Sequence, residues 1–187
     1  MCRSPMAEGI ACAGIERDFP GQVGRVEVSS AGTGALLGNP PARDAVEAMQ
    51  ARGVDISGHR ARSISEPVVA ASDLVLTMEE EQSAVAKSLT RAGDTPVFLL
   101  LELGEAAQKY LNDSAVMTAA DCPLERLAGL VRLASSVERK HRGRQRSNLY
   151  EVADPIGMPR EEYERIIDVM VGPINDILRA LLGQNAG

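Results

Sequence analysis

The sequence predicts an α/β fold: a parallel sheet with helices on its faces. Three observations carry that expectation. Short apolar runs alternate with longer amphipathic stretches along the 187 residues. Proline and glycine punctuate the changes of pattern. The last stretch, from Tyr163 to Leu181, keeps apolar residues at helical spacing throughout.

The elements follow in order. Pro5 to about Arg17 reads as a first helix that ends near Phe19-Pro20-Gly21. Pro5 suits a first turn, where its missing N–H costs nothing, and Ser4 is expected to cap orphan N–H groups there. Arg25 to Ala31 reads as a strand running into a Gly32-Thr33-Gly34 turn. Pro41 to Arg52 reads as a helix opened by proline, carried by Ala45, Val46 and Met49, and closed by Gly53. Asp73 to Met78 is a short apolar strand, and Glu79 to Leu89 a helix with acids in its first turn. Pro96 to Leu100 is another strand, and Glu102 to Tyr110 continues as a helix. Leu124, Leu127, Leu130, Val131 and Ala134 form a further apolar face. Tyr163, Ile166, Ile167, Met170, Ile174, Ile177, Leu178 and Leu181 share one face of a long last helix. Gly172-Pro173 is expected to kink or interrupt that helix.

Composition narrows the function. A chain of 187 residues is one ordinary domain, 1–187, long enough to bury a real core. A formal net charge of −6 argues against nucleic acid or a membrane surface as the partner. No apolar run approaches a membrane span, and no charged-then-apolar leader pattern opens the chain. Three cysteines fit a reducing cytoplasm better than a disulfide scaffold. His59 and His141 lie far apart and no Cys-x-x-Cys occurs, so no metal spacing is present. Tryptophan is absent and aromatics are scarce, which excludes stacking-based recognition of single strands.

The opening residues, Cys2-Arg3-Ser4-Pro5-Met6-Ala7-Glu8, are the most specific feature. A helix N-terminus offers free N–H groups to an anion. Arg3 adds a planar fork of donors that matches phosphate oxygens. This run resembles the second half of the signature of the low-molecular-weight protein-tyrosine phosphatases, Cys-x-Gly-Asn-x-Cys-Arg-Ser-Pro-Met-Ala-Glu. Four further blocks resemble that family in its own order: Val28-Ser29-Ser30-Ala31-Gly32-Thr33, Asp55 to Arg62, Ala71 to Met78, and Asp154-Pro155-Ile156-Gly157. A stretch of about 111–150 matches poorly and reads as an enlarged connection.

The resemblance implies a three-layer α/β/α flavodoxin-like fold with strand order 2-1-3-4. It places Met1 on a variable position of the motif, with the nucleophilic cysteine and the first strand upstream. Met1 is then an internal methionine used as a start, or the chain has lost its nucleophile. A central strand absent from the sheet orphans several backbone groups, at on the order of a kcal/mol each, so a chain that folds poorly, or a sheet that closes imperfectly, is expected.

The resemblance also assigns roles. Arg3 is expected to clamp the phosphoryl oxygens, with Cys2 and Ser4 completing the phosphate-binding loop. Asp154 is expected to protonate the leaving oxygen and then activate water. The helix terminus and Arg3 are expected to lower the Cys2 thiol pKa, although its position beside the arginine gives poor in-line geometry. Cys12 reads as a small core residue, and Cys122 has no evident task. Asp55, Ser57 and His59 are expected to form a polar cluster that buttresses the loop. The basic run Arg139, Lys140, His141, Arg142, Arg144 and Arg146 reads as a solvated loop that could steer anions. Ile156 stands where the family often has an aromatic lining the substrate slot.

The function implied is a metal-independent, cofactor-free phosphomonoester hydrolase acting on a phosphorylated protein or small phosphomonoester. The nucleophile is absent from the chain as given. Two alternatives stay open: an arsenate reductase of the same fold, and a non-catalytic phosphate-binding remnant.

Overall fold

A computed structural model describes residues 2–90, 95–113, 122–141 and 147–183, the side chains of 137–148 excepted. The order is α1 (Arg3–Asp18), a 3-10 turn (Pro20–Gln22), α2 (Arg43–Gln50), α3 (Glu66–Ala70), β1 (Val75–Thr77), α4 (Glu80–Leu89), β2 (Val97–Leu99), α5 (Leu100–Asn112), α6 (Pro123–His141), α7 (Ser147–Tyr150) and α8 (Arg160–Leu182). The fold is α/β, with a parallel sheet flanked by helices. Strands β1 and β2 pair in parallel, Val75 opposite Val97 and Thr77 opposite Leu99. The side chains of the basic run 139–146, and much of the enlarged connection at 111–150, lie outside the described residues.

Local signals placed most helices. Gly53 takes φ +77 and ends α2. Its N–H bonds the Gln50 carbonyl while the Val54 N–H reaches back to Met49, satisfying carbonyls that a helix end orphans. Ala45, Ala48 and Met49 point the helix inward. Helix α6 starts at Pro123, with the exposed Cys122 carbonyl accepting from Arg126 N–H, and buries Leu130 and Ala134.

Two expectations are corrected. Arg25–Ala31 forms no ladder among the described residues; only isolated bridges, Val23 with Val26 and Gly32 with Ser63, occur nearby. A strand exists through a neighbour's hydrogen bonds, and the alternation in this segment specifies only a face. Val26 and Val28 do pack against the core. The second correction concerns Gly172-Pro173, which does not interrupt the last helix: α8 runs unbroken through Pro173. Buried residues on both sides of the ring, Met170, Ile174 and Ile177, hold the helix together across the one backbone bond that proline cannot make. Gly104 of α5 lies so close that a Cβ there would stand 2.5 Å from Pro173 Cβ and 2.9 Å from its Cα. Two helices thus cross at a glycine and a proline.

The core is built on α5, α1 and α2 against α8. Tyr163, Ile166, Ile167, Met170, Ile174, Ile177 and Leu178 of α8 are buried. They meet Leu103, Ala106 and Ala107 of α5 and Met6, Ile10 and Ile15 of α1 in one apolar cluster. Small residues set the approach of α1. A Cβ on Gly9 would fall 2.7 Å from Ile56 Cγ2, and one on Gly14 would fall 3.0 Å from Leu178 Cδ1.

Two glycine substitutions separate these effects. Gly104→Ala drives a methyl into the Pro173 backbone and is expected to cost about 1–3 kcal/mol. Gly172→Ala meets no atom within 4 Å. It is expected to stabilise by about 0.5–1 kcal/mol through helix propensity. Thermal unfolding followed by circular dichroism should lower Tm for the first and raise it for the second.

Candidate functional site

The site begins with helix direction. In an α-helix each Cα–Cβ bond tilts toward the N-terminus. Arg3 is the first residue of α1, so its side chain projects past the helix start. The first bond at this end runs from Met6 N–H to the Cys2 carbonyl. Pro5 has no N–H to satisfy. The N–H groups of Arg3 and Ser4 make no protein hydrogen bond among the described residues. A guanidinium and two free donors therefore share one helix end, where the peptide dipoles favour negative charge.

The Arg3 side chain is buried, with 8 % of its surface exposed. An unpaired charge at that depth is costly, and three acceptors meet it. Nη1 donates to Glu79 Oε1 and to the Val152 carbonyl, both at 2.5 Å. Nη2 donates to Asp154 Oδ2 at 3.2 Å. Nε–H makes no hydrogen bond among the described residues. The structure thus brings Arg3 and Asp154 together across 151 positions of sequence.

Each acceptor is itself held. Glu79 is the N-cap of α4 in extended conformation. Its Oε2 accepts from Gln82 Nε2 at 3.0 Å, and Gln82 Oε1 accepts the Met78 N–H at 3.1 Å. Val152 N–H bonds the Met78 carbonyl at 2.9 Å. Glu151 Oε1 accepts the Glu80 N–H at 2.9 Å, closing the N-terminus of α4. Asp154 is freer. Its carboxylate is 37 % exposed, and its Oδ1 accepts the Ile156 N–H at 3.2 Å. Ile156 is 58 % exposed, and Gly157 supplies the turn with φ +76.

The other expected residues fall differently. Ser4 makes no cap: the helix starts two residues earlier than predicted, Cys2 holds the N-cap position, and no side-chain cap bond forms. Cys2 is buried beneath the helix start, its Sγ 3.9 Å from the Tyr163 hydroxyl. The expectation of a lowered thiol pKa is overturned. Burial pushes the Cys2 thiol up and outweighs the pull of the chain terminus, Tyr163 and Arg3. Tyr163 is pushed up to about 12, first by burial and then by the thiol beside it. Cys12, half-buried in α1, is raised by burial and by Glu8 and Glu16.

The cluster Asp55, Ser57 and His59 divides in two. Asp55 Oδ1 accepts the Ser57 N–H at 2.8 Å, a local turn that lowers the aspartate. His59 instead turns to α1, its Nδ1 3.4 Å from Glu8 Oε2, which also accepts from Ser30 Oγ at 2.7 Å. Glu8, Glu79, Gln82 and Tyr163 were not singled out from the sequence. Glu8 lies in the opening motif and Glu79 directly follows the third quoted block, so their positions were the available signal. Among the described residues no three His, Cys, Asp or Glu side chains converge as metal ligands, and no helix is long and apolar enough to cross a membrane.

An α/β fold whose first helix opens on a buried, paired arginine and two N–H groups without a protein partner among the described residues is an arrangement that can receive an anion. The family model for low molecular weight phosphotyrosine protein phosphatase matches residues 1–114. A relative, the probable low molecular weight protein-tyrosine-phosphatase EpsP of Ralstonia nicotianae, is 40% identical over 113 residues, 60% of this chain and 70% of that protein. The low molecular weight protein-tyrosine-phosphatase YfkJ of Bacillus subtilis is 33% identical over 93 residues, 48% of this chain and 56% of its own. Among solved structures, the low molecular weight protein tyrosine phosphatase from T. tengcongensis superposes with a TM-score of 0.62 at 27% identity, over 95% of this chain and 90% of that one. The chain belongs to the low-molecular-weight protein-tyrosine phosphatase family.

Two buried acids under the site make stability depend on alkaline pH. Cys2 and Tyr163 are neutral when folded, and both titrate above their ordinary values of 9.0 and 10.0. An unfolded chain releases those protons first. Their contribution is therefore intact below pH 9 and lost as pH climbs toward about 12. Tm is expected to fall steeply across that window. Tyr163→Phe should flatten the upper part of the fall while changing stability at pH 7 by no more than about 1 kcal/mol.

Proposed function

We propose that this site is the phosphate-holding and proton-transferring part of a phosphomonoester hydrolase. Its substrates are phosphorylated proteins, phosphotyrosine above all, or small phosphomonoesters. The observation that carries the reading is the 3.2 Å contact between Arg3 Nη2 and Asp154 Oδ2. A phosphate binder and a proton donor at one point are what the departure of an ester oxygen requires.

The chemistry divides among named groups. Arg3 and the free N–H groups of α1 receive the equatorial oxygens, and their grip tightens as charge develops in the transition state. Asp154 protonates the leaving oxygen, then takes a proton from the water that attacks the phosphocysteine. The nucleophile of this mechanism is the first cysteine of the family motif, a position these 187 residues do not contain. Cys2 does not replace it, being buried, adjacent to the arginine and raised in pKa. The chain as given therefore holds phosphate without turning over substrate. The remaining roles are those of one domain, 1–187, that needs no metal or cofactor and works in the reducing cytoplasm, where Cys2, Cys12 and Cys122 stay free thiols.

Two experiments test this. The 187-residue chain should release no phenolate from p-nitrophenyl phosphate yet bind inorganic phosphate. Arg3→Lys should weaken that binding about tenfold or more, since the planar fork is lost. A version preceded by Cys-x-Gly-Asn should turn over, and Asp154→Asn in it should lower kcat by about 10²–10⁴. If the completed motif still yields no phenolate while phosphate binds, the chain is a binding remnant and the hydrolase reading fails.

A further inference from the structure

A cavity of about 460 Å³ opens between α5 and α6, within the roughly 300–1,000 Å³ of small-molecule sites. Lys109, Tyr110 and Asp113 line it from the α5 side, and Gly129, Arg132 and Leu133 from the α6 side. One wall, α6, therefore comes from the enlarged connection and not from the opening motif.

Tyr110 sets this cavity apart. It is buried, with 1 % of its surface exposed, yet its hydroxyl has no hydrogen-bond partner among the described residues. Buried hydroxyls are nearly always bonded, because an unmade bond forfeits the group's hydration. The other two tyrosines obey that rule: Tyr150 donates to Glu105 Oε2 at 2.6 Å, and Tyr163 meets Cys2 Sγ. The hydroxyl end of Tyr110 lies at the α6 wall. A Cβ on Gly129 would stand 3.5 Å from its Oη and 3.0 Å from its Cε2. Glycine inside a helix is unfavourable, and here it leaves that wall open to the ring.

Charge defines the missing partner. Lys109 is paired with Glu105, and Asp113 holds an interaction of its own. Ser136, which also lines the cavity, donates its Oγ–H to the Leu133 carbonyl at 2.6 Å. The Arg132 guanidinium makes no ion pair or hydrogen bond among the described residues. The cavity thus offers one uncommitted cation and one uncommitted hydroxyl beside the apolar surfaces of Leu133 and the Tyr110 ring. With the Asp113 carboxylate in the same lining, a single negative charge is matched better than a dianion.

We propose that this cavity binds a small organic monoanion, a carboxylate on an apolar, ring-sized body. Its oxygens accept from the Arg132 guanidinium and the Tyr110 hydroxyl, and its body packs against Leu133 and the Tyr110 ring. The site shares no residue with the helix end at Arg3 and does not rest on the phosphate-holding reading.

The test is a calorimetric titration of the whole 187-residue chain with 2-naphthoate. The acid should bind saturably, and neutral 2-naphthamide about tenfold more weakly or worse, since it offers Arg132 no charge. Arg132→Gln should weaken 2-naphthoate about tenfold and leave 2-naphthamide within about twofold. Tyr110→Phe should weaken 2-naphthoate roughly three- to tenfold, yet unfold without ligand at a Tm equal to or above that of the wild type, because an orphaned hydroxyl is gone. Ser136→Ala, whose hydroxyl is already spent on Leu133, should change Kd by less than about twofold. Saturating inorganic phosphate should not displace the probe. No saturable binding at millimolar 2-naphthoate, equal affinity for acid and amide, unchanged affinity in Arg132→Gln or Tyr110→Phe, or displacement by phosphate would each overturn the site. A clear drop in the Tm of unliganded Tyr110→Phe would show that the hydroxyl is already satisfied, and overturns it equally.

Discussion

Burying one guanidinium governs how the site is assembled. A cation with 8 % of its surface exposed needs partners, and those around Arg3 come from two separate parts of the chain, both distant from α1 in sequence. They are the turn between β1 and α4 and the segment that follows α7. The turn and the segment are also bonded to each other, through Val152 N–H to the Met78 carbonyl and Glu151 to the Glu80 N–H. The arginine therefore sits where two already joined pieces present a carbonyl and two carboxylates. Losing any fixed partner would leave a buried charge short of an acceptor, so the geometry of the site and the stability of its surroundings are one constraint.

What the sequence disclosed depended on how local each signal was. The face of α8 and the glycine stop of α2 are written in short spacings, and both were legible. Pro173 misled on interruption because a helix breaker was judged without the tertiary face that spans it: Met170 before the ring and Ile174 and Ile177 after it are all buried. Gly104, far away in sequence, supplies the room that lets α5 pack against the ring. Arg25–Ala31 misled in the opposite sense. Its alternation specifies an inward face, which Val26 and Val28 use, but no pattern within one segment can supply a hydrogen-bonding partner. At the site, Arg3 and Asp154 were legible through motif chemistry alone. Glu79 and Gln82 were not, since an acidic first turn is ordinary in any helix and their task appears only when Arg3 is set beside them. His59 was expected in one cluster with Asp55 and Ser57, whereas the fold leaves those two to a local turn and sets His59 against Glu8 of α1.

The thiol at residue 2 shows competing terms resolved by magnitude. The chain's terminal amine, a tyrosine hydroxyl and an arginine all favour the thiolate. Burial still wins, because the charged form forfeits its water on every side while each helper acts from one direction. The same burial raises Tyr163 and keeps the pair neutral. Directly beneath a cationic helix end, the protein thus places groups that carry no charge at neutral pH. The negative charge that balances Arg3 is left to two carboxylates, Glu79 at the start of α4 and Asp154 on the turn before α8.

That division leaves Asp154 on a short tether. Val152 is pinned by its N–H and its carbonyl, and Asp154 lies two residues further on. Two extended residues span at most about 7 Å, so the Asp154 carboxylate is confined to the neighbourhood of the guanidinium. Gly157, with its positive φ, turns the chain back toward α8 and bounds the far side of the same arm. The contact between residues 3 and 154 is thus fixed less by the ion pair itself than by the backbone bonds of Val152, which hold the aspartate close while its carboxylate keeps 37 % of its surface in water.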